Sequence, residues 1–175
     1  MSLTSDHILV SVEVRDLGAH VGRGIFVREP VPRGAIVAIF GGRATPGYQF
    51  RELTAERQQH ALQVADDVFL VPDDHRDLGD FINHSCDPTA VLVGEITLAA
   101  ARDLEVGDQL TFDYATSDSS PYDEFECECG ADRCRGKVTG EDWMSAELQS
   151  LYRGHFSPYL QRKIDSIDDA ATVSS

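Results

Sequence analysis

The chain is 175 residues long and 42% hydrophobic, enough for one domain with a sizeable core and too short for a second full one. Thirty acidic residues against fifteen basic give a formal charge of -15 at pH 7, which repels a phosphate backbone and draws in a cationic partner. The first residues, MSLTSDHILVSVEV, lack the basic and apolar regions of a secretory signal, and no apolar run reaches the length of a membrane span. The expectation is an intracellular, cytoplasmic protein, nuclear if the source is eukaryotic and not secreted.

In chain order, ILVSVEV (8–14) is β-branched and alternating, so it reads as a strand that ends in the glycine-rich turn DLGAHVGRG. GIFV and AIVAIF follow as short β-type runs around a Pro- and Gly-punctuated turn at Pro30 to Gly34, a hairpin-like unit. Residues 44–78 are more polar, with a short helix expected around Gln49 to Gln59 and two brief strands around Asp66 and Asp67. GEITLAAARDLEVGDQLTFDYA again reads strand, turn at Val106 to Asp108, strand. Near the end, Thr139 stands three residues before Asp142, and Met144, Leu148, Leu151 and Tyr152 recur at helical spacing up to Gly154. A second helix begins at Ser157 with Pro158 in its first turn. Many short strands and two late helices make the chain mainly β.

The four cysteines are Cys86, Cys127, Cys129 and Cys134, three of them crowded into ECECGADRCRG as C-x-C-x4-C. A structural zinc takes four ligands in a tetrahedron, and the only other thiol is Cys86. The competing reading is two disulfides or four free thiols. Disulfides are disfavoured inside a cell, and cysteines two apart are badly placed to pair with each other. One zinc on all four would tie the segment near residue 130 to FINHSC, residues 81–86.

FINHSC places an amide, an imidazole, a hydroxyl and a thiol side by side. A thiol nucleophile is its weakest reading, because Cys, His and Asn partners in that chemistry are neighbours in space, not along the chain. The GRG of Gly22 to Gly24 lets backbone amides approach a ligand, but a dinucleotide loop needs a third glycine and a following helix. Here strand-like GIFVREP follows, so a dinucleotide site is rejected.

Taken in order, GRGIFV (22–27), FINHSCDP (81–88), LTFDYA (110–115) and CECGADRCRG (127–136) resemble the SET-domain family of protein lysine methyltransferases with its zinc-binding post-SET segment. The resemblance implies a β-clip fold of several short sheets around a knot-like crossing of the NHSC and FDY segments. It divides the chain into a SET domain (1–125, with an insert at about 44–78), a post-SET zinc segment (126–138), a helical extension (139–168) and a loose tail (169–175). It implies transfer of methyl groups from S-adenosylmethionine to a lysine of a basic protein, leaving S-adenosylhomocysteine.

Residue by residue, the resemblance puts Gly22, Arg23, Gly24 and Ile25 on the cofactor pocket, together with Asn83, His84 and Tyr114. Phe40, Phe112 and Tyr114 would wall the lysine channel, with the Tyr114 hydroxyl as the catalytic positioning group. Phenylalanine at 112 leaves no hydroxyl to hold a water, which favours two or three methyl groups. The chain departs from the family where Phe40 replaces a frequent tyrosine, Asp80 a frequent arginine and Thr89 a common asparagine. These changes motivate the alternative, a catalytically silent SET scaffold that binds a basic partner.

The expected substrate is a lysine-rich protein, histone-like or ribosomal, attracted by acids such as Asp66, Asp67, Asp73 and Asp74. No direct nucleic-acid or membrane partner is expected, and the chain would be a monomer or weak dimer. Trp143 is left outside the site as an anchor of the C-terminal helix.

Overall fold

The computed structural model describes residues 5–19, 21–73, 77–121 and 124–173, with side chains as far as 167. The first apolar run divides at a bend at Val10 into β1 (His7–Ile8) and β2 (Val12–Asp16), which enter different sheets. Across the glycine-rich turn, β2 pairs antiparallel with β3 (Arg23–Val27), Arg15 opposite Gly24. The expected hairpin of GIFV with AIVAIF does not form. The turn after Pro30 bridges through Val31 to Leu104 and carries β4 (Ile36–Ile39) away to pair with β1.

The polar region holds β5 (Arg43–Pro46), α1 (Gly47–Phe50), α2 (Ala55–Gln59), β6 (Leu62–Ala65) and β7 (Val68–Val71). The single helix expected over 49–59 is two short ones, because the Thr54 hydroxyl accepts the Arg57 N–H and restarts the helix there. The two strands expected around Asp66 and Asp67 are present as the hairpin of β6 and β7, in a three-stranded sheet with β5 on the far side of β7.

A single 3-10 turn, Leu78–Phe81, leads into β8 (Asn83–His84). Then β9 (Ala90–Val93) and β10 (Thr97–Ala100) complete a four-stranded sheet in the order β1-β4-β10-β9. The two runs of GEITLAAARDLEVGDQLTFDYA are both strands but are not paired with each other. The second, β11 (Thr111–Phe112), lies parallel to β8, Thr111 opposite Asn83 and Phe112 opposite His84. A parallel pair needs a long connection, which the intervening residues supply. Two polar motifs far apart in sequence thereby become neighbours.

β12 (Phe125–Glu126) and β13 (Lys137–Val138) pair around the cysteine loop. The helix expected from Thr139 begins later. Thr139 donates to Asp142 and supports only the turn Asp142–Met144, and Ser145 caps α3 (Ala146–Leu151) by accepting from Leu148. The last helix, α4 (Pro158–Val173), starts at Pro158 as expected and runs on through the positions assigned to a loose tail from 169. Of that tail, residues 174 and 175 lie outside the described residues.

The main core joins these small sheets through Ile25, Val27, Val37, Leu92, Leu98, Leu104 and Leu110, every one of them essentially inaccessible. A second cluster packs Trp143, Leu148, Tyr152, Phe156, Tyr159, Leu160 and Ile164 against Ala115. Trp143 is therefore a core anchor of the helical extension. Apolar burial on both sides of Tyr114–Thr116 fixes the 3-10 turn there.

Candidate active site

A cavity of about 600 Å³ opens between the β2–β3 turn, β8 and the cysteine segment, within the size range of small-molecule sites. Gly22, Arg23, Asn83, His84 and Tyr114 line it, together with Phe81, Phe125 and Cys127. Asn83 is held by donating its side-chain amide to the Arg23 carbonyl at 2.9 Å, and Arg23 lies over the Phe81 ring. Two other expected residues face elsewhere. Ile25 belongs to the core at 0% exposure, and Gly24 is buried where an added Cβ would meet Gln109 at 2.6 Å and Leu17 at 2.8 Å. Gly24 lets the β2–β3 turn sit close on the body of the molecule, and Gly22, at φ +76°, turns the chain over the cavity mouth.

His84 is buried at the back of this cavity. Its Nδ1 accepts the Tyr114 N–H at 3.3 Å, which requires a lone pair there, and its Nε2 lies 3.3 Å from the Cys86 sulfur. Burial pushes the imidazole down to about 4, against the opposing pull of the Asp113 carboxylate. A neutral His84 thus orients Tyr114.

Tyr114 stands where this cavity meets a smaller one of about 50 Å³. Its hydroxyl donates to the Ile82 carbonyl at 3.2 Å. The small cavity is walled by Phe40, Phe112, Ile82 and Tyr114, and the rings form a continuous series, Phe40 to Phe112 at 5.6 Å and Phe112 to Tyr114 at 4.8 Å between centroids. All three residues expected in the lysine channel therefore meet in one narrow passage, which Asp6, His60, Asp80 and Asp118 also line.

The sulfurs of Cys86, Cys127, Cys129 and Cys134 lie within 4.8 Å of one another, and none is in a disulfide. A tetrahedron of Zn–S bonds has edges of about 3.8 Å, so the donor set and its spacing fit a closed zinc site. Burial raises Cys127, while Cys129 comes down to about 7, because hydrogen bonds from the Cys86 and Ala131 backbones and from the neighbouring sulfurs outweigh its own burial. Cys129 thus has the anionic form that a metal needs within reach near neutrality, while burial also raises Cys86.

Arg135 joins this cluster to the tyrosine, a link that an arginine following the last cysteine does not by itself reveal. Its guanidinium grips Asp113 with two bonds of 2.6 and 2.8 Å, its Nε reaches Asp142 at 3.0 Å, and its N–H points at the Cys86 sulfur at 3.4 Å. Asp113 is fully buried and accepts the Ala115 N–H. A cysteine of the cluster, an arginine and the carboxylate next to Tyr114 are therefore one connected unit.

The acidic residues expected to attract substrate are placed differently. Asp66 pairs with Lys163, Asp67 with Arg51 at 3.0 Å and Asp73 with Arg43 at 3.9 Å, while Asp74 lies outside the described residues. The negative rim of the large cavity comes instead from Glu56, Glu124, Glu126 and Glu128. These last three alternate along the approach to the cysteines, a pattern readable as EFECEC (124–129) only once the segment is known to fold over the site. Thr89, in place of asparagine, is buried and reciprocally bonded with Thr111, closing the β8–β11 crossing by side-chain bonds.

Residues 22–115 match the model of the SET domain, which is more than half the chain, and the protein belongs to that family. It is 28% identical over 139 residues to the histone-lysine N-methyltransferase ash1 of Drosophila melanogaster, an alignment covering 73% of this chain and 6% of that protein. It is 26% identical over 132 residues to the probable histone-lysine N-methyltransferase set-23 of Caenorhabditis briggsae, covering 65% of this chain and 55% of that one. The chain thus spans only part of the curated relatives it matches. A crystal structure of KRYPTONITE in complex with mCHG DNA and S-adenosylhomocysteine superposes with a TM-score of 0.58 at 22% identity, covering 75% of this chain and 29% of that one.

Proposed function

We propose that the protein is an S-adenosylmethionine-dependent protein-lysine N-methyltransferase whose substrate is a basic, lysine-rich protein or peptide. The observation that carries this reading is the meeting of the two cavities at Tyr114, one large enough for a cofactor and the other only wide enough for an alkyl chain. S-adenosylhomocysteine in the KRYPTONITE complex and the histone-lysine activity named for ash1 support it.

When bound, S-adenosylmethionine supplies an electrophilic methyl on a positive sulfonium. Gly22, Arg23, Asn83 and His84 would hold it in the large cavity. Phe40, Phe112 and Tyr114 exclude water from the lysine and align its amine with the methyl, where most of the rate comes from positioning. The Tyr114 hydroxyl, fixed on the Ile82 carbonyl, orients the amine; an unperturbed phenol titrates near ~10 and is not poised as a base. Two phenylalanines in the passage leave room for two or three methyl groups.

Cys86, Cys127, Cys129 and Cys134 would hold one structural zinc that closes the FECEC segment over the cofactor. The glutamates of that rim attract cationic chain and repel nucleic-acid phosphate. Four reduced thiols in one cluster suit an intracellular protein.

Calorimetric titration of the zinc-loaded protein with S-adenosylmethionine tests the pocket without knowledge of the substrate, and saturable one-to-one binding is the expected outcome. Absence of binding favours a silent scaffold. Tyr114→Phe should keep the fold and cofactor binding and lower methyl transfer about 10²-fold, as for loss of one oriented polar group. Unchanged transfer removes Tyr114 from its assigned role.

A further inference from the structure

The narrow passage carries acidic groups beside its aromatic rings. Asp6, Asp80 and His60 line it alongside Phe40, Phe112 and Tyr114. The Asp80 side chain is only 2% exposed, and its Oδ1 lies 3.8 Å from Nδ1 of His60, whose ring is one-third exposed. Asp6 is held in place by accepting the Gly41 N–H at 2.7 Å and donating its own N–H to Asp77 at 3.1 Å. It packs against the turn that carries Asp80, since a Cβ on Gly79 would lie 2.1 Å from Asp6 Oδ2.

We propose that Asp80, supported by Asp6 and His60, is the catalytic proton acceptor that converts the incoming lysine ammonium to the neutral amine. This rests on the methyl-transfer reading above. Two carboxylates beside the aromatic rings, Asp80 with its side chain buried and Asp6 half-buried, favour a cationic occupant, which argues for lysine. With phenylalanine at positions 40 and 112, those rings bring no hydroxyl to carry the proton away. The carboxylate supplies a route in their place.

The proton balance is simple. An Nζ–H bond of the ammonium breaks, its proton goes to an Asp80 oxygen, and the lone pair is left on Nζ. The N–CH3 bond then forms as the S–CH3 bond breaks, and the proton on Asp80 passes through the His60 imidazole to water. The acidity of the site matches this task. Burial first, then the charges of Asp80 and Asp77, push Asp6 up to about 7, with the Gly41 N–H and His7 opposing. Asp6 therefore holds a proton beside Asp80 over part of the neutral range. Among the described residues, the titratable and charged groups lining the cavities with Asp80 include Asp6, His60, Tyr114 and Asp118 in the passage and Arg23, Glu56 and Glu124 in the large cavity, with Asp77 and His7 acting on Asp6.

The test measures S-adenosylhomocysteine release with mixed core histones as acceptor, for wild type and Asp80→Asn, from about pH 6 to about pH 10. The variant should lose about 10²-fold or more at neutral pH and recover most of it near pH ~10, where acceptor lysines arrive neutral. The same fractional loss at every pH, or none, overturns the role of Asp80 and leaves methyl transfer standing. No transfer by wild type overturns the methyl-transfer reading itself. Carboxyl carbon NMR gives a readout that needs no substrate: Asp6 should titrate near neutrality in wild type and lower in Asp80→Asn. An ordinary carboxylate midpoint in wild type overturns the proposal whatever the activity.

Discussion

Arg135→Met tests whether the cysteine cluster and the tyrosine are mechanically one unit. The substitution keeps the apolar stem of the side chain but removes both bonds to Asp113 and the one to Asp142. Asp113 has 0% side-chain exposure, so water cannot replace what is lost, and the Ala115 N–H and the Tyr152 side chain remain beside it. Breaking a buried pair by deleting one partner costs about 3–5 kcal/mol, most of it from the stranded charge. In a chain of this size that is a fall of about 6–20 °C in Tm. The assay is urea unfolding of the zinc-loaded protein, with Asp113→Asn and the double variant completing a cycle. The double variant should be less destabilised than the sum of the singles, because the stranded charge is gone. A loss below about 1 kcal/mol for Arg135→Met, the size of a surface pair, would refute the linkage.

Other outcomes follow from the same geometry. Cys86→Ser should leave less than one zinc per chain by elemental analysis, since it removes the ligand that comes from the FINHSC side; full occupancy would show that the metal is held without it. Asp6 has a folded-state value of about 7, raised from 3.8, so the folded state keeps its proton where the unfolded chain has lost it. Its contribution to stability is complete below the unfolded value and declines as pH rises toward 7, which Asp6→Asn should flatten in a plot of Tm against pH. An unchanged slope would mean that Asp6 ionises normally. Phe112→Tyr should move products toward fewer methyl groups by mass spectrometry, and an unaltered distribution removes Phe112 from control of the passage.

The constellation of motifs was legible because each carries chemistry that survives without neighbours: three crowded thiols and a fourth, an NHSC, an FDY. Pairing was less so. GIFV and AIVAIF read as partners because they are adjacent, yet Val31 crosses to Leu104 and sends them to separate sheets, a contact between residues more than seventy apart. The break between the two short helices turns on one hydroxyl, Thr54, which periodicity alone does not weigh. Acid residues were the hardest to place. Asp66, Asp67 and Asp73 resemble a docking surface until their partners Lys163, Arg51 and Arg43 are seen, whereas Asp80 registered only as an unusual residue and proved to line both cavities. Ile25 follows the same logic, since β3 is buried from Gly24 through Val27 and only Arg23 and the turn before it reach the surface.

Ala115, the residue after Tyr114, lies beneath an apolar cluster that reaches Ile164, and the Tyr159 hydroxyl caps the carbonyl of Ser117 in the same turn. During synthesis every cofactor-facing residue therefore emerges well before the segment that braces the tyrosine. A nascent chain halted after the cysteine loop would carry all the expected site residues with the underside of Tyr114–Thr116 bare. Competence for chemistry would then be acquired late, when the last helix leaves the ribosome and docks.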